Sequence, residues 1–154
     1  MPIVFSTCLE RDILYAHWSG RVGLEEFRQN YFDYLADAFY RPGRTELVDL
    51  TDFEDFDGDF NAIRSALAVV NTAGEGPKNR TRTVLLAPRE SVFGLGRMYQ
   101  QLAEIAGGIE VELYTQEIEA LQALLLPYKT IPELLEKEKF QPHTQRDDVK
   151  ASCE

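Results

Sequence analysis

The sequence predicts an α/β fold: a β-hairpin followed by βα repeats, giving a mixed, mostly parallel sheet of four or five strands with helices packed on it. Three observations carry this expectation. Short apolar runs rich in β-branched and aromatic residues recur, and from the second run onward a helical spacing of apolar residues follows each. Glycine, proline or clustered acids separate the units. The first two runs are joined too closely for a crossover, so that pair must be antiparallel.

Ile3-Val4-Phe5 opens the first strand, and Glu10, Arg11 and Asp12 mark a charged hairpin turn. Ile13 to Trp18 forms the second strand, ended by Ser19-Gly20. Leu24, Phe27, Tyr31 and Leu35 fall at spacings of 3, 4 and 4, one stripe of a first helix. Glu25 and Glu26 sit in its first turn, where the helix dipole favours acids. After the break at Arg41-Pro42-Gly43, Glu46 to Leu50 is a short third strand. Thr51 to Asp59 (TDFEDFDGD) reads as an acidic loop, with Asp57 or Asp59 as N-cap of a helix whose stripe is Phe60, Ile63, Leu67 and Val70. Gly74 to Arg80 is a polar loop.

Thr83 to Ala87 is the fourth strand, and Pro88 is free to start the next helix, where a missing N–H costs nothing. That helix presents Leu95, Met98 or Tyr99, Leu102 and Ile105, and Gly107-Gly108 stops it. Ile109 to Tyr114 alternates apolar and acidic residues, as a half-buried edge strand does. Thr115 caps a helix with the stripe Ile118, Leu121 and Leu125. Thr130 and Glu133 form a capping box for a short extra helix. The organisation is one α/β domain over 1–127, a C-terminal extra helix within 128–140 and a polar, disordered tail over 141–154.

The net charge of −10 and pI of about 4.7 argue against nucleic acids and anionic membrane surfaces, which demand a basic footprint. No apolar run approaches the ~20 residues of a membrane span, so no membrane insertion is expected. MPIVFSTCLERD lacks the basic and long apolar regions of a signal peptide. Cys8 and Cys153 read as free thiols of a reducing cytoplasm, which sets a cytoplasmic localisation.

Four stretches carry a resemblance: WSGRVGLEEF, FYRPGRTELVDLTD, TVLLAPRESVFGLGRMYQ and VELYTQEIEALQALL. Over Ile3 to Leu126 the chain resembles the STAS-like, or SpoIIAA-like, group: the anti-sigma-factor-antagonist fold shared in outline with Sec14-type lipid carriers. The third stretch is the most specific and resembles a branch without an assigned activity. The resemblance implies a small α/β domain and no catalysis. Anti-sigma antagonists carry a phosphorylatable serine in the turn that matches Thr51 to Asp59, but no serine stands here. The acids Asp49, Asp52, Glu54, Asp55, Asp57 and Asp59 would repel an added phosphate, so no phospho-switch is expected.

Candidate chemistry is sparse. The acidic stretch fails the calcium-loop pattern, since Phe53 and Arg64 would occupy its first and twelfth places. A receiver-type phosphoacceptor at Asp49 lacks both the acid pair and the lysine it needs. Gly94 and Gly96 lie inside a helical pattern and not in a dinucleotide turn. Two mid-helix glycines cost roughly 1 kcal/mol each, and close approach of the sheet or a second subunit would offset that. Arg97, with Arg89, reads as solvated or ion-paired, the alternative being a small anion-binding patch at a helix start, and His17 is a strand histidine facing solvent or a partner. No nucleophile–base set is visible. The chain therefore reads as non-enzymatic, with no catalytic, cofactor-binding or metal residues.

The expected function is a STAS-like protein-interaction module that self-associates as a homodimer, its protein partner unspecified. The alternative is binding or sensing of a small apolar, lipid-like ligand. Asp52, Asp55, Asp57, Phe93, Gly94, Gly96, Arg97 and Tyr99 are the candidate interaction or ligand surface.

Overall fold

The computed structural model describes residues 3–73 and 81–143. The chain forms β1 (Ile3–Cys8), β2 (Ile13–Gly23), α1 (Leu24–Leu35), β3 (Thr45–Asp57), α2 (Phe60–Ala73), β4 (Thr81–Leu86), α3 (Glu90–Ala106), β5 (Ile109–Tyr114), α4 (Glu117–Ala123), α5 (Ile131–Lys137) and β6 (Gln141–Pro142). The fold is α/β. Its mixed sheet has the order β5-β4-β3-β2-β1-β6, parallel from β5 to β2 and antiparallel at β1 and β6.

Period-two alternation divides the strands between two cores. Leu14, Ala16, Val48, Leu50 and Leu85 point to the face covered by α1, α2 and α3. Ile13, Tyr15, Leu47, Val84 and Leu86 point to the other face, under α4 and α5. A sheet covered on both sides reads as near-continuous apolar runs, and VLL in β4 is one such run. Tyr15 donates from its hydroxyl to Asp49 Oδ2 at 2.6 Å, which accounts for a buried acid on the second face. Among the described residues no helix is long and apolar enough to cross a membrane.

Several expectations are corrected. β2 continues through Ser19-Gly20 to Gly23, Gly20 accommodating φ +64° at an irregularity in the pairing. Thr51 to Asp57 is strand, not loop, because β2 runs on beside it and Phe53 and Phe56 bury themselves against the first core. The acids on this stretch depress local strand propensity, but basic side chains on β2 meet them. Arg21 donates to Asp57 at 2.8 Å, and His17 bonds Asp52 at 2.8 Å. Gly58, at φ +152° and with a would-be Cβ 2.5 Å from the Ala62 Cβ, turns β3 into α2. Asp59, the second of the two N-cap candidates, accepts the Ala62 N–H at 3.0 Å.

The helical stripes also change at their ends. Phe60 is 49% and Ile105 84% exposed; Phe60 opens α2 and Ile105 is the penultimate residue of α3. Gln116 precedes α4 in place of Thr115 and makes no side-chain cap bond. Thr130 caps α5 as expected, accepting from the Glu133 N–H at 3.2 Å, but the Glu133 carboxylate reaches back to the Lys129 N–H. The sheet has six strands and not four or five, because Gln141 and Pro142 pair with Thr7 and Ser6. The tail expected to be disordered over 141–154 is thus ordered at 141–143; its remainder, Cys153 and the loop Gly74 to Arg80 lie outside the described residues.

Candidate functional site

The helical layer does not fill the space above the sheet completely. A cavity of about 130 Å³ lies between the first sheet face and α1, α2 and α3. Strand alternation supplies its floor, with Ala16, Val48 and Leu85 pointing up. Helical spacing supplies its walls: Tyr31 and Tyr34 from α1, Ile63, Ala66 and Val70 from α2, Leu95, Gly96 and Tyr99 from α3. The prolongation of β2 and β3 closes one side, with the Trp18 ring edge-on to Phe53 at 5.6 Å and 5.8 Å from Phe27. An apolar cavity of roughly 150 Å³ accommodates a benzene ring, so this space suits a single-ring ligand and not a drug-sized one.

One carboxylate enters this apolar chamber. Glu46 stands near the start of β3, opposite Thr83, and its half-buried side chain lines the cavity. Its one hydrogen bond to protein among the described residues comes from the Thr83 hydroxyl, at 3.4 Å. A carboxylate offers about four acceptor positions, so most of this one's capacity is unused. Desolvation drives its pKa up to about 7, the Thr83 hydroxyl opposing this slightly. Tyr31, Tyr34 and Tyr99 face the same space; burial, reinforced by the Glu46 charge, pushes their pKa values well above the usual phenol range. Neither Tyr31 nor Tyr99 bonds its hydroxyl to protein among the described residues, and no basic side chain lines the cavity.

Tyr99 and Gly96 alone of the eight sequence-derived candidates line this cavity. Gly96 lets α3 approach the sheet: a Cβ there would come 2.9 Å from Leu113 Cδ1. Gly94 faces open space, so close approach does not account for it in the single chain. Alanine at Gly94 should therefore stabilise α3 by roughly 1 kcal/mol, since it restores helix propensity without a clash. Chemical denaturation of Gly94→Ala checks this, and an unchanged or lower midpoint would place a contact on that face. Phe93 packs partly against the first core and Arg97 is exposed. Asp52, Asp55 and Asp57 lie elsewhere, on the part of β3 that pairs with β2 alone; Arg21 lies 3.6 Å from Asp55 and bonds Asp57.

Sequence reasoning missed Glu46, which read as the first polar residue of a short strand. The signal was its period-two register with Val48 and Leu50, which sets it on their face. It also passed over His143, assigned to the tail. The His143 N–H donates to the Phe5 carbonyl at 3.0 Å, its Nε2 sits 2.6 Å from Thr7 Oγ1, and its Nδ1 lies 3.5 Å from Asp37. Its ring packs against Tyr34 and Phe5, backing the cavity wall, and burial lowers its pKa. Cys8 is a free, buried thiol. No group of three or more His, Cys, Asp or Glu among the described residues is placed to hold a metal ion. No family model matches the chain, and no curated protein matches it.

Proposed function

We propose that the protein is a non-enzymatic binder of a small apolar ligand, held between the sheet and α1, α2 and α3. The observation that carries this reading is the aromatic cavity of about 130 Å³ with a single under-bonded carboxylate in its wall. Interiors are close-packed, and a chamber this large is costly to leave unfilled, so it is better understood as a site than as slack. The reading fits the lipid-carrier side of the STAS-like resemblance, and the buried thiol of Cys8 fits a cytoplasmic setting.

Trp18, the single tryptophan of the chain, lines the cavity and reports on its contents. Titration with propylbenzene should change the Trp18 fluorescence saturably. Ala66→Leu, which grows a side chain into the cavity, should weaken that binding while the protein stays folded. A linear, unsaturable response in the wild-type protein would count against the pocket.

A second reading is the STAS-like protein-interaction module. It is favoured by the paired stretch Ser19–Gly23 and Asp52–Asp57, which extends past β1 and β4 and carries Asp52, Glu54, Asp55 and Asp57. On this reading the extension meets a protein partner with a basic face, and self-association would involve the exposed side of α3.

A further inference from the structure

We infer that the cavity takes a small ligand whose apolar body carries a protonated amine, the rings of its wall and the Glu46 carboxylate together receiving the cation. This rests on the pocket reading above and names the chemistry of its ligand. Four features converge on it. The wall is aromatic, with Trp18, Tyr31, Tyr34, Phe53 and Tyr99 among its rings, and ring faces attract a desolvated cation. Among the described residues the lining holds an acid and no base, so a ligand anion would meet the Glu46 carboxylate with no cation to balance it. Glu46 accepts one long hydrogen bond and has room for charge-assisted ones from an ammonium group. Finally, the volume limits the apolar body to about one ring.

The groups facing Glu46 are Thr83 from β4, Tyr31 and Tyr34 from α1 and Tyr99 from α3; α2 contributes only apolar side chains. Arg44, just ahead of β3, is directed to Asp12, with Nε 3.1 Å from its Oδ1. Among the described residues, therefore, no cation pairs with the Glu46 carboxylate. With its pKa near 7, Glu46 is largely protonated in slightly acid solution and must release that proton to receive an ammonium. Amine affinity consequently rises with pH through neutrality.

The test uses the full chain and four probes of similar size: phenethylamine, phenethyl alcohol, propylbenzene and phenylacetate. Trp18 fluorescence reads binding, and thermal unfolding reads it independently. Phenethylamine should bind tenfold or more tightly, in order of magnitude about the value of one desolvated cation–aromatic contact, than propylbenzene, and phenylacetate most weakly. From about pH 6 to about pH 8, where an alkyl amine stays charged, phenethylamine binding should tighten roughly tenfold while propylbenzene binding stays level. Glu46→Gln should abolish the pH dependence, reduce the amine preference to what the rings alone supply, and still bind propylbenzene. Equal binding of amine and hydrocarbon, or tighter binding of the alcohol, would overturn the amine assignment and leave the pocket standing. An amine preference that is flat with pH in the wild-type protein would remove Glu46 from it, whatever the variant does. If no probe binds, the pocket reading falls and the amine assignment with it.

Discussion

Glutamine at position 46 should stabilise the folded protein by roughly 3 kcal/mol near pH 8 and leave it unchanged near pH 4. The cause is the unmatched carboxylate. In the unfolded chain Glu46 titrates near 4.5, and in the cavity near 7. Between those values the folded state holds a proton that the unfolded state has released, so wild-type stability falls as pH rises. The loss begins near the lower value and is complete above the higher one. At about 1.4 kcal/mol per pH unit, a displacement from 4.5 to about 7 amounts to that roughly 3 kcal/mol. Glutamine keeps the shape and the bond from Thr83 but has no charge to desolvate. Urea denaturation of both proteins across this pH range checks the expectation. Parallel stability curves would mean that Glu46 reaches water. The same comparison bears on ligand chemistry, because a bound ammonium would restore to the wild-type protein much of what glutamine gives the variant.

Leu134→Ala should destabilise the protein by about 2–5 kcal/mol, a large share of a domain's total stability. Leu134 projects from α5 into the second core, beside Ile13, Leu47, Val84, Leu86 and Leu121, and it is among the most deeply buried side chains. Truncation would leave a hole under the centre of the sheet, on the face away from the ligand cavity. A loss below about 1 kcal/mol would mean that the helices α4 and α5 can settle onto the sheet without it. The Trp18 response to propylbenzene should survive, because the sheet separates the two cores. Residues 128–140 are therefore part of the packed structure, and Tyr128 and Phe140 pack against the same cluster.

The order of the elements was legible because each depends on local patterning. The alternating residues of Ile109–Tyr114 placed an edge strand where one occurs, and the stripe Leu24, Phe27, Tyr31 and Leu35 placed α1. The chain reads less clearly where pairing partners are distant. Thr51–Asp57 is acidic enough to read as a loop, yet a parallel neighbour on β2, with Arg21 beside Asp55 and Asp57, makes it strand. Gln141–His143 carries no local strand signal; the free edge of β1, the partners Thr7 and Asp37 and the rings of Phe5 and Tyr34 hold it. The candidate surface drawn from sequence followed unusual residues, glycines and acids, whereas the cavity is made mostly of ordinary apolar ones.

Sequence by itself determined the α/β class, the antiparallel opening, the parallel repeats and an acidity that disfavours polyanionic partners. Those follow from period, composition and connection length, which are properties of neighbouring residues. Tertiary structure decided that Glu46, one carboxylate among 26 Asp and Glu residues, stands inside an apolar chamber with Trp18, Tyr31 and Tyr99. Burial and electrostatic environment are set by which elements come to lie over which. They arise only when three helices from distant parts of the chain close over one face of the sheet.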